Sequence, residues 1–463
     1  MWRQTRPLIG VLTGHWVGMA GTALVTLAGF SWLFLLPLNV SGHANNPYIG
    51  LFAFIVLPMI FFSGLLLIPV GAALGRRRVA QGIAAASDPK AVWRRAGIFF
   101  AVMTLANLVI ASQLSYRAVA QLETVQFCGQ TCHVMKPEFT AHLRPSHAGI
   151  ECAACHISPG ASGFFKAKMA GTRQLLAVTF NTFPRPIESA MESNRLVSSA
   201  ETCENCHQRD KPMRPALRVI TKYKDDETNT PTKTVMMMMV DRIHGAHLAP
   251  GVEIRYAASD KKRQTIPWVE YRNTASGAAR TYVADDAKPD AMAALPKFTM
   301  QCVDCHNRAA HSFEVPDRAV DGAISRGAIP ADLPFIKKTS LALIQADYKS
   351  DEEAASKIAA GLSDFYRAKY PDVFARRSSD IGAAARGLAA VYSGNVFPDL
   401  KVTWGTYANN LGHADYPGCF RCHDDSHTAA DKKTIPQDCA TCHNPIAVEE
   451  SSPEILKQLG IAQ

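Results

Sequence analysis

The sequence predicts a membrane protein with two parts: three N-terminal transmembrane helices, and a mainly α-helical domain of low regular secondary structure with a small antiparallel β insertion. Three observations support this fold class. Residues 7–75 contain no Asp, Glu, Lys or Arg, and residues 96–116 form a second uncharged run. A short cysteine pattern recurs from residue 128 to the C-terminal end of the chain. Between its copies, alternating β-branched and aromatic residues at 252–256, 267–271 and 280–283 predict three short strands.

The uncharged stretch has room for two spans, 8–38 and 49–74, and the run at 96–116 makes a third. Each can cross a bilayer, which takes about 20 apolar residues in a helix. Lys and Arg cluster in the loop after the second span, at residues 76–78, 90, 94 and 95, whereas the turn at 41–47 carries none. Since cytoplasmic loops are enriched in these residues, we expect a cytoplasmic N-terminus and a domain on the outer side of the membrane after Tyr116. A cleaved signal peptide is disfavoured because the first apolar core is too long.

The cysteine pattern has the form C-x-x-C-H in five regular copies, and a sixth copy has one extra spacer residue. The regular copies use Cys152 and Cys155, Cys203 and Cys206, Cys302 and Cys305, Cys419 and Cys422, and Cys439 and Cys442; the longer copy uses Cys128 and Cys132. The histidines that follow are His133, His156, His207, His306, His423 and His443. This pattern attaches c-type haem, with the histidine as one axial ligand of the iron. Zinc sites and disulfides would not need a histidine after every second cysteine. The sequence therefore predicts six covalently bound haem c groups.

Nine further histidines are candidates for the second axial position of each iron. His15 and His43 lie in the membrane region, and seven lie in the outer domain. We predict ligand roles for His147, His244, His247, His311, His413 and His427, and leave His142 as a spare surface or propionate-contacting residue. Short offsets from the motifs would let each histidine reach its own haem or a stacked neighbour. His244 and His247 share one helical face and would serve two haems, a zinc pair being the weaker alternative. Met135, two residues after His133, is a further candidate ligand.

Residues 116–207 resemble the NapC/NirT family of membrane-anchored quinol dehydrogenases. The matching features are an apolar helix leading into the first motif, Cys132-His133-Val-Met135, and Lys168-Met169 after the second motif. The resemblance implies a first haem beside a menaquinol pocket at the membrane surface, with Met135 on its iron and Lys168 near the quinol. Gln174 stands where the family pattern has a carboxylate, so Glu138 or a haem propionate would accept the proton. Asn410-Leu-Gly-His413 before the fifth motif also resembles the larger inner-membrane multihaem cytochromes of metal-respiring bacteria.

The predicted regions are a membrane domain at 1–119, a NapC/NirT-like haem region at 120–210, a β-containing insertion at 211–300 and a C-terminal haem region at 301–463. The predicted function is menaquinol oxidation, with electrons passed through the haems to a periplasmic redox protein or cytochrome. Two alternatives stay open: a relay subunit of a larger respiratory complex without quinol chemistry, and a terminal multihaem reductase. The reductase would need an iron with a free face. The net charge of +9 reflects the cytoplasmic loop and cations that offset haem propionates, so no nucleic-acid partner is expected.

Overall fold

The computed structural model has two compact units, Met1–Cys132 and His133–Gln463. The structure describes residues 15–40, 55–81, 89–131, 133–144, 146–208, 211, 213–288 and 292–461. Cys132 and His43 lie outside these residues, and of His133 the backbone alone is described.

The first unit contains three long helices in its described part. They are α1 (Trp16–Val40), α2 (Leu57–Ala80) and α3 (Pro89–Glu123). Helices α1 and α2 approach each other closely where glycine faces glycine. A Cβ built on Gly21 would lie 2.7 Å from the carbonyl oxygen of Gly64, so only a residue without a side chain fits there. Small residues of this kind let two apolar helices pack backbone to backbone where burial from water does not drive their association.

Two described helices are long and apolar enough to cross a membrane, over Leu57–Arg78 in α2 and Trp93–Glu123 in α3. Only 6 % of the apolar window in α3 is buried, so its side chains face outward, as contact with lipid requires. The first predicted span also lies in a helix, the uncharged α1. Its crossing of a membrane, and with it the three-span topology, stays a prediction.

Helix α3 is longer than the span predicted at 96–116. It continues through Arg117 to Glu123, and a π-helical turn at Phe127–Thr131 then carries Cys128. The uncharged run ends at Tyr116, but residues 117–123 are mostly good helix formers, so the helix continues beyond the apolar segment. As a result, the first attachment cysteine lies within about one helical turn of the end of α3.

The second unit begins with short elements around the first three cysteine motifs. After a 3₁₀ turn at His133–Met135 come α4 (Lys136–His142), α5 (Cys152–His156) and α6 (Gly160–Thr179). The third motif opens with a 3₁₀ turn at Cys203–Asn205. Apart from α6, these elements are no longer than two helical turns, as expected of a region whose side chains form little core of their own.

Strands follow from residue 216 onward and form two antiparallel sheets. In chain order the elements are β1 (Ala216–Tyr223), β2 (Pro231–Met238), α7 (Val240–Leu248), β3 (Val252–Ala257), β4 (Trp268–Asn273), β5 (Ala279–Val283) and β6 (Lys297–Thr299). Strands β3, β4 and β5 occupy the three predicted runs. The hairpin of β1 and β2 lies outside the three predicted runs. Its second strand ends in a run of methionines, of which Met238 pairs with His443.

Residues 302–396 begin with the fourth motif and continue as a haem-free group of helices. The elements are α8 (Cys302–Cys305), α9 (Pro316–Ser325), α10 (Ile336–Ile344), α11 (Asp351–Lys369), α12 (Pro371–Arg376) and α13 (Ser378–Ser393). We call residues 316–396 the helical unit. Its core contains Ile329, Leu333, Ile336, Ile358 and Leu388, all without solvent exposure.

The chain ends with the last two motifs and with strands that complete both sheets. The elements are a 3₁₀ turn at Gly418–Arg421, β7 (Thr428–Ala429), α14 (Cys439–Cys442), β8 (His443–Glu450) and α15 (Glu454–Gln458). The strand orders are β1-β2-β8 and β6-β3-β4-β5-β7. Each sheet therefore takes an edge strand from the C-terminal region, and the domain boundaries predicted at 210 and 300 stay a prediction.

Candidate haem centres

Each regular motif folds as a single tight turn that places its thiols and its histidine together. Residues three apart on a helical turn share one face, so the two cysteines of a C-x-x-C sequence project to the same side. The turns are closed by the histidine backbone: the N–H of His207 donates to the carbonyl of Cys203 at 2.8 Å, and His306 to Cys302 at 2.8 Å. The same bond joins His423 to Cys419 at 3.0 Å. This arrangement fits a porphyrin held by two adjacent thioether bonds.

Each of the five regular motif histidines faces a second imidazole. The pairs are His156 with His311 at 6.1 Å between ring centroids, His207 with His147 at 6.3 Å, His306 with His244 at 6.1 Å, His423 with His247 at 5.8 Å and His443 with His413 at 6.0 Å. Two imidazoles on opposite faces of one metal ion have centroids about 6 Å apart, since each metal–nitrogen bond is about 2 Å and each centroid lies about 1 Å beyond its nitrogen. The spacing therefore fits five irons with two histidine ligands each.

Hydrogen bonds also prepare the distal rings for metal binding. The Nδ1 atom of His311 donates to the carbonyl of Glu138 at 3.0 Å, and that of His147 to the carbonyl of Ala309 at 3.1 Å. On α7, His244 and His247 donate through Nδ1 to the carbonyls one turn earlier, at 2.8 Å and 2.7 Å. Because a carbonyl can only accept, Nδ1 carries the proton and Nε2 keeps its lone pair. Second partners of this type commonly orient metal-binding histidines.

Burial keeps several of these imidazoles neutral, which is the form that binds a metal. It lowers the pKa of His311 to about 4, because the charged ring would lose its hydration. The same cause lowers the pKa values of His156, His247 and His306 below the ordinary histidine value.

His427 does not agree with its prediction as an iron ligand. Its Nδ1 atom lies 2.8 Å from a carboxylate oxygen of Asp424, and its Nε2 atom lies 2.7 Å from the carbonyl of Ile266. Both partners are acceptors, so both ring nitrogens are engaged, and the side chain is 2 % exposed. The offset of four residues after His423 suggested a ligand. The sequence feature that could have indicated this is Asp424, three residues before His427, because a carboxylate at that spacing can accept a hydrogen bond from the ring.

His142 has the spare role that the sequence predicts, although it is buried rather than on the surface. Its ring lies 5.9 Å from that of His311, but its Nε2 atom donates to the carbonyl of Ile150 at 3.0 Å. Because its Nε2 atom is occupied, His142 packs beside the pair of His156 and His311. Of the two rings near His311, only that of His156 directly follows an attachment cysteine.

The five regular motifs lie side by side in chain order. Burial is the main cause that raises the pKa of Cys155, and the thiols of Cys203 and Cys206 raise it further. The second and third motifs are therefore close. His207 likewise contributes to the lowered pKa of His306, which joins the third motif to the fourth. Burial and then Cys419 raise the pKa of Cys442, which joins the fifth to the sixth.

The fourth and fifth motifs are linked most closely. Arg421, inside the fifth motif, donates to the carbonyl of Asp304, inside the fourth, at 2.7 Å. His244 and His247 lie one turn apart on α7 and face the fourth and fifth motif histidines respectively. One helix and one arginine therefore hold both sites in register.

Arg144 connects the segments that carry His311 and His147 to the helical unit. Its guanidinium donates to the carbonyl of Gly394 at 2.7 Å, to the side chain of Asn395 at 3.1 Å and to the carbonyl of Ser312 at 3.2 Å. Ser312 directly follows His311, and Arg144 precedes His147 by three residues. This contact was not predicted, because its partners are remote in sequence.

The residues proposed for quinol chemistry do not form one cluster on α6. Lys168 lies with its Nζ atom 5.0 Å from the centroid of the Phe164 ring. Gln174 is exposed and stands about 120° around the helix from Lys168. Glu138 is half-buried on α4, and its buried Oε2 atom has no hydrogen-bond partner among the described atoms. Burial raises the pKa of Glu138 above the ordinary value, as a proton acceptor would require. Met135 is half-buried at the end of its 3₁₀ turn.

Comparison with known proteins gives two matches. Residues 91–230 match the model of the NapC/NirT cytochrome c family, N-terminal region. The chain is 34% identical over 456 residues to cytochrome c-type protein ImcH of Geobacter sulfurreducens, and the match covers 95% of this chain and 89% of that protein. No solved structure matches the chain.

Proposed function

Because the chain belongs to the NapC/NirT family of membrane c-type cytochromes, we propose that it oxidises menaquinol and delivers the electrons to a periplasmic redox protein or cytochrome. Membership confirms the resemblance found between residues 116 and 207, and with it a membrane-anchored multihaem cytochrome that transfers electrons. Three points belong to the proposal: the donor is menaquinol, the chain binds six haems, and the acceptor is periplasmic.

The observation that carries the proposal is the row of five histidine pairs, whose motifs adjoin in chain order. When bound, haem supplies reversible one-electron chemistry at iron. The residues of this chain set the positions. Two thiols and one histidine of each motif would attach a porphyrin, and a histidine from a distant segment would bind the opposite face. Because both faces are assigned in these five sites, the arrangement favours electron transfer over a terminal reductase.

The first motif would hold the one remaining haem, and this haem would receive the electrons from menaquinol. Cys128 follows α3 closely along the chain, and α3 is apolar enough to lie in a bilayer, where menaquinol resides. Met135 would bind the iron opposite His133. We assign the N-terminus to the cytoplasm and the haem unit to the periplasm of a bacterial inner membrane, on the basis of the Lys and Arg distribution.

Lys168 and Glu138 would handle the protons that menaquinol loses. A lysine ammonium group can donate a hydrogen bond to a quinol oxygen and stabilise the negative charge that develops as the quinol deprotonates. Gln174 can hydrogen-bond but cannot accept a proton at neutral pH. Glu138, whose pKa is raised by burial, is the carboxylate that we assign to this step.

The test is reduction of the purified protein by a menaquinol analogue in lipid nanodiscs, followed through haem absorbance. We expect Lys168→Ala to slow reduction at least about tenfold, which corresponds to a barrier increase of about 1.4 kcal/mol. Lys166→Ala, two residues earlier on α6, is the matched control and should reduce at the parental rate. Reduction by dithionite should be normal in both variants.

Two outcomes would contradict parts of the proposal. If Lys168→Ala oxidises menaquinol at the parental rate, the quinol pocket lies elsewhere. If the parental protein is reduced by dithionite but not by menaquinol, it is a relay subunit of a larger complex. The intact mass separately decides the haem count, because a mass that accounts for five haems would show that the longer-spaced first motif carries none.

A further inference from the structure

Helix α6 directs its apolar face away from the protein. Phe165, Met169, Leu176 and the C-cap residue Phe180 are all exposed, and Phe165 and Phe180 are 67% and 70% accessible. At about 100° per residue, the four lie within a sector of about 60° and form one stripe along the helix. Leu175 is also exposed and lies about 80° from Phe165, on the side of Lys168. A soluble surface helix normally packs such residues against the core, whereas those of α6 are exposed.

The opposite side of α6 consists mainly of small residues. Gly163 is buried, and a Cβ at this position would collide with the backbone carbonyl of Ser158, in the turn that leads into the helix. Ala167, Ala170 and Ala177 are half-buried, and Gln174 is exposed on the same side. The bulky residues of the stripe therefore face away from a side that carries small or polar residues.

Cations flank the apolar stripe on both sides. Lys168 stands about 60° from Phe165 in one direction, and Arg173 and Lys166 stand about 80° and 100° from it in the other. The helix contains no Asp or Glu. Long basic side chains at the borders of an apolar stripe can extend their charges into a headgroup layer while their aliphatic stems remain in contact with hydrocarbon.

We propose that α6 lies in the surface of an anionic phospholipid bilayer, with its apolar stripe below the headgroups. Three features favour lipid as the occupant: bulky apolar residues in one narrow sector, cations on both borders without any anion, and apolar helices in the same chain that can cross a bilayer. Interfacial helices have this combination, since acidic phospholipids attract Lys and Arg near the surface. The proposal does not depend on quinol oxidation.

The test uses the full haem-loaded chain in liposomes of phosphatidylcholine and phosphatidylglycerol. One phospholipid carries a photoactivated diazirine on its acyl chain, and labelled residues are located by mass spectrometry. We expect labels on Phe165, Met169 and Leu176 in the resting protein, without quinol. Val448 on β8 is the matched control, because it is apolar and 62% exposed outside α6. Labelling of α6 no greater than that of Val448 would overturn the proposal and indicate that a porphyrin or a second copy of the chain covers the stripe.

Two variants separate the apolar and the electrostatic contributions. Phe165→Asp combined with Met169→Asp should reduce labelling at Leu176 to the level of Val448, while the haem spectrum stays unchanged because both side chains point away from the protein. Lys166→Gln combined with Arg173→Gln should reduce labelling in the mixed liposomes to the level seen with phosphatidylcholine alone. Labelling that persists in the double aspartate variant, or that is the same with and without phosphatidylglycerol in the parental protein, would contradict the proposal.

Discussion

The helical unit and the haem-carrying segment at 146–208 are both rich in turns and helices, but they are stabilised in different ways. The helical unit buries a continuous group of apolar side chains from α9, α10, α11 and α13. In the segment 146–208, Met191 is the one apolar side chain that is buried among the residues described there. Burial of apolar surface must offset the entropy lost when a chain becomes ordered. The helical unit can meet that cost with its own side chains, whereas the haem segment depends on the groups bound to its motifs.

The helical unit also contacts the segment 136–144, which directly precedes the haem-carrying segment. Lys136, at the start of α4, forms an ion pair with Asp351 at the start of α11 at 2.8 Å. Arg144 joins the end of the same segment to Gly394 and Asn395, after α13. The difference between the two regions therefore suggests a division of labour, in which a conventional core holds segments that carry axial ligands.

Preventing haem attachment should produce the largest contrast. In a chain produced without haem maturation, we expect amides in the helical unit to keep opening free energies of several kcal/mol, while amides at 146–208 approach about zero. Hydrogen exchange followed by mass spectrometry measures both regions in one sample. Equal loss of protection in the two regions would show that the helical unit also needs haem to fold.

Removing the buried charge from the helical unit should give the next largest effect. Lys337 is 1% exposed and forms ion pairs with Asp321 at 2.6 Å and Asp317 at 2.9 Å. Lys337→Met leaves the buried Asp321 without a counter-charge, and we expect a loss of about 3–5 kcal/mol in the unfolding free energy of this unit. Lys357→Met, which breaks an exposed ion pair with Glu353 on α11, is the control and should have little effect.

The loss of unfolding free energy caused by Lys337→Met should diminish as the pH falls. Burial already raises the pKa of Asp321 above its ordinary value, and loss of the lysine raises it further. A folded-state pKa above the unfolded value means that protonation favours the folded state, so stability is recovered at low pH and lost as the pH rises through the folded-state pKa. Denaturation at several pH values checks this; a loss independent of pH would show that packing, not charge, is responsible.

Ligand replacement should change single haems and leave the helical unit intact. We expect His244→Ala and His247→Ala each to convert one low-spin haem to a high-spin form, at the fourth and the fifth motif respectively, because an axial nitrogen is lost. His427→Ala should leave all haem spectra in the low-spin region unchanged, since both nitrogens of this ring are engaged by protein acceptors. Electron paramagnetic resonance distinguishes the variants, and a new high-spin signal in His427→Ala would restore it as a ligand.

The smallest effect is expected where the two regions meet. Arg144→Met removes the contacts to Gly394, Asn395 and Ser312 without removing a ligand. We expect shifted resonance signals and potentials for two haems, those of the second and third motifs, with normal haem content. Arg367→Met, on an exposed part of α11, is the control. Shifts spread equally over all haems would argue against a local positioning role for Arg144.

The outcome for individual histidines shows how far a sequence can be interpreted. Short offsets suggested that His147, His311 and His413 would serve their own haem or a neighbour. In the structure, His147 and His413 face the histidine of the motif that follows their nearest one, which the neighbour alternative allows, whereas His311, nearest the fourth motif, faces that of the second. His427 had the same kind of offset and binds Asp424 instead. Offset along the chain is therefore a weak guide, because pairing across a porphyrin is decided by segments that are distant in sequence.

The sequence by itself determined the chemistry that needs only neighbours along the chain. Six cysteine motifs, the apolar segments and three strand runs are visible there, because thioether attachment, membrane insertion and strand alternation depend on local spacing and composition. Tertiary structure alone decided which histidine faces which motif, how β7 and β8 complete the two sheets, and that Arg144 fastens two ligand segments to the helical unit. It also decided that the apolar stripe of α6 is exposed. The histidine pairs, the sheet edges and the Arg144 contacts join residues remote in sequence, and no local pattern of residues encodes them.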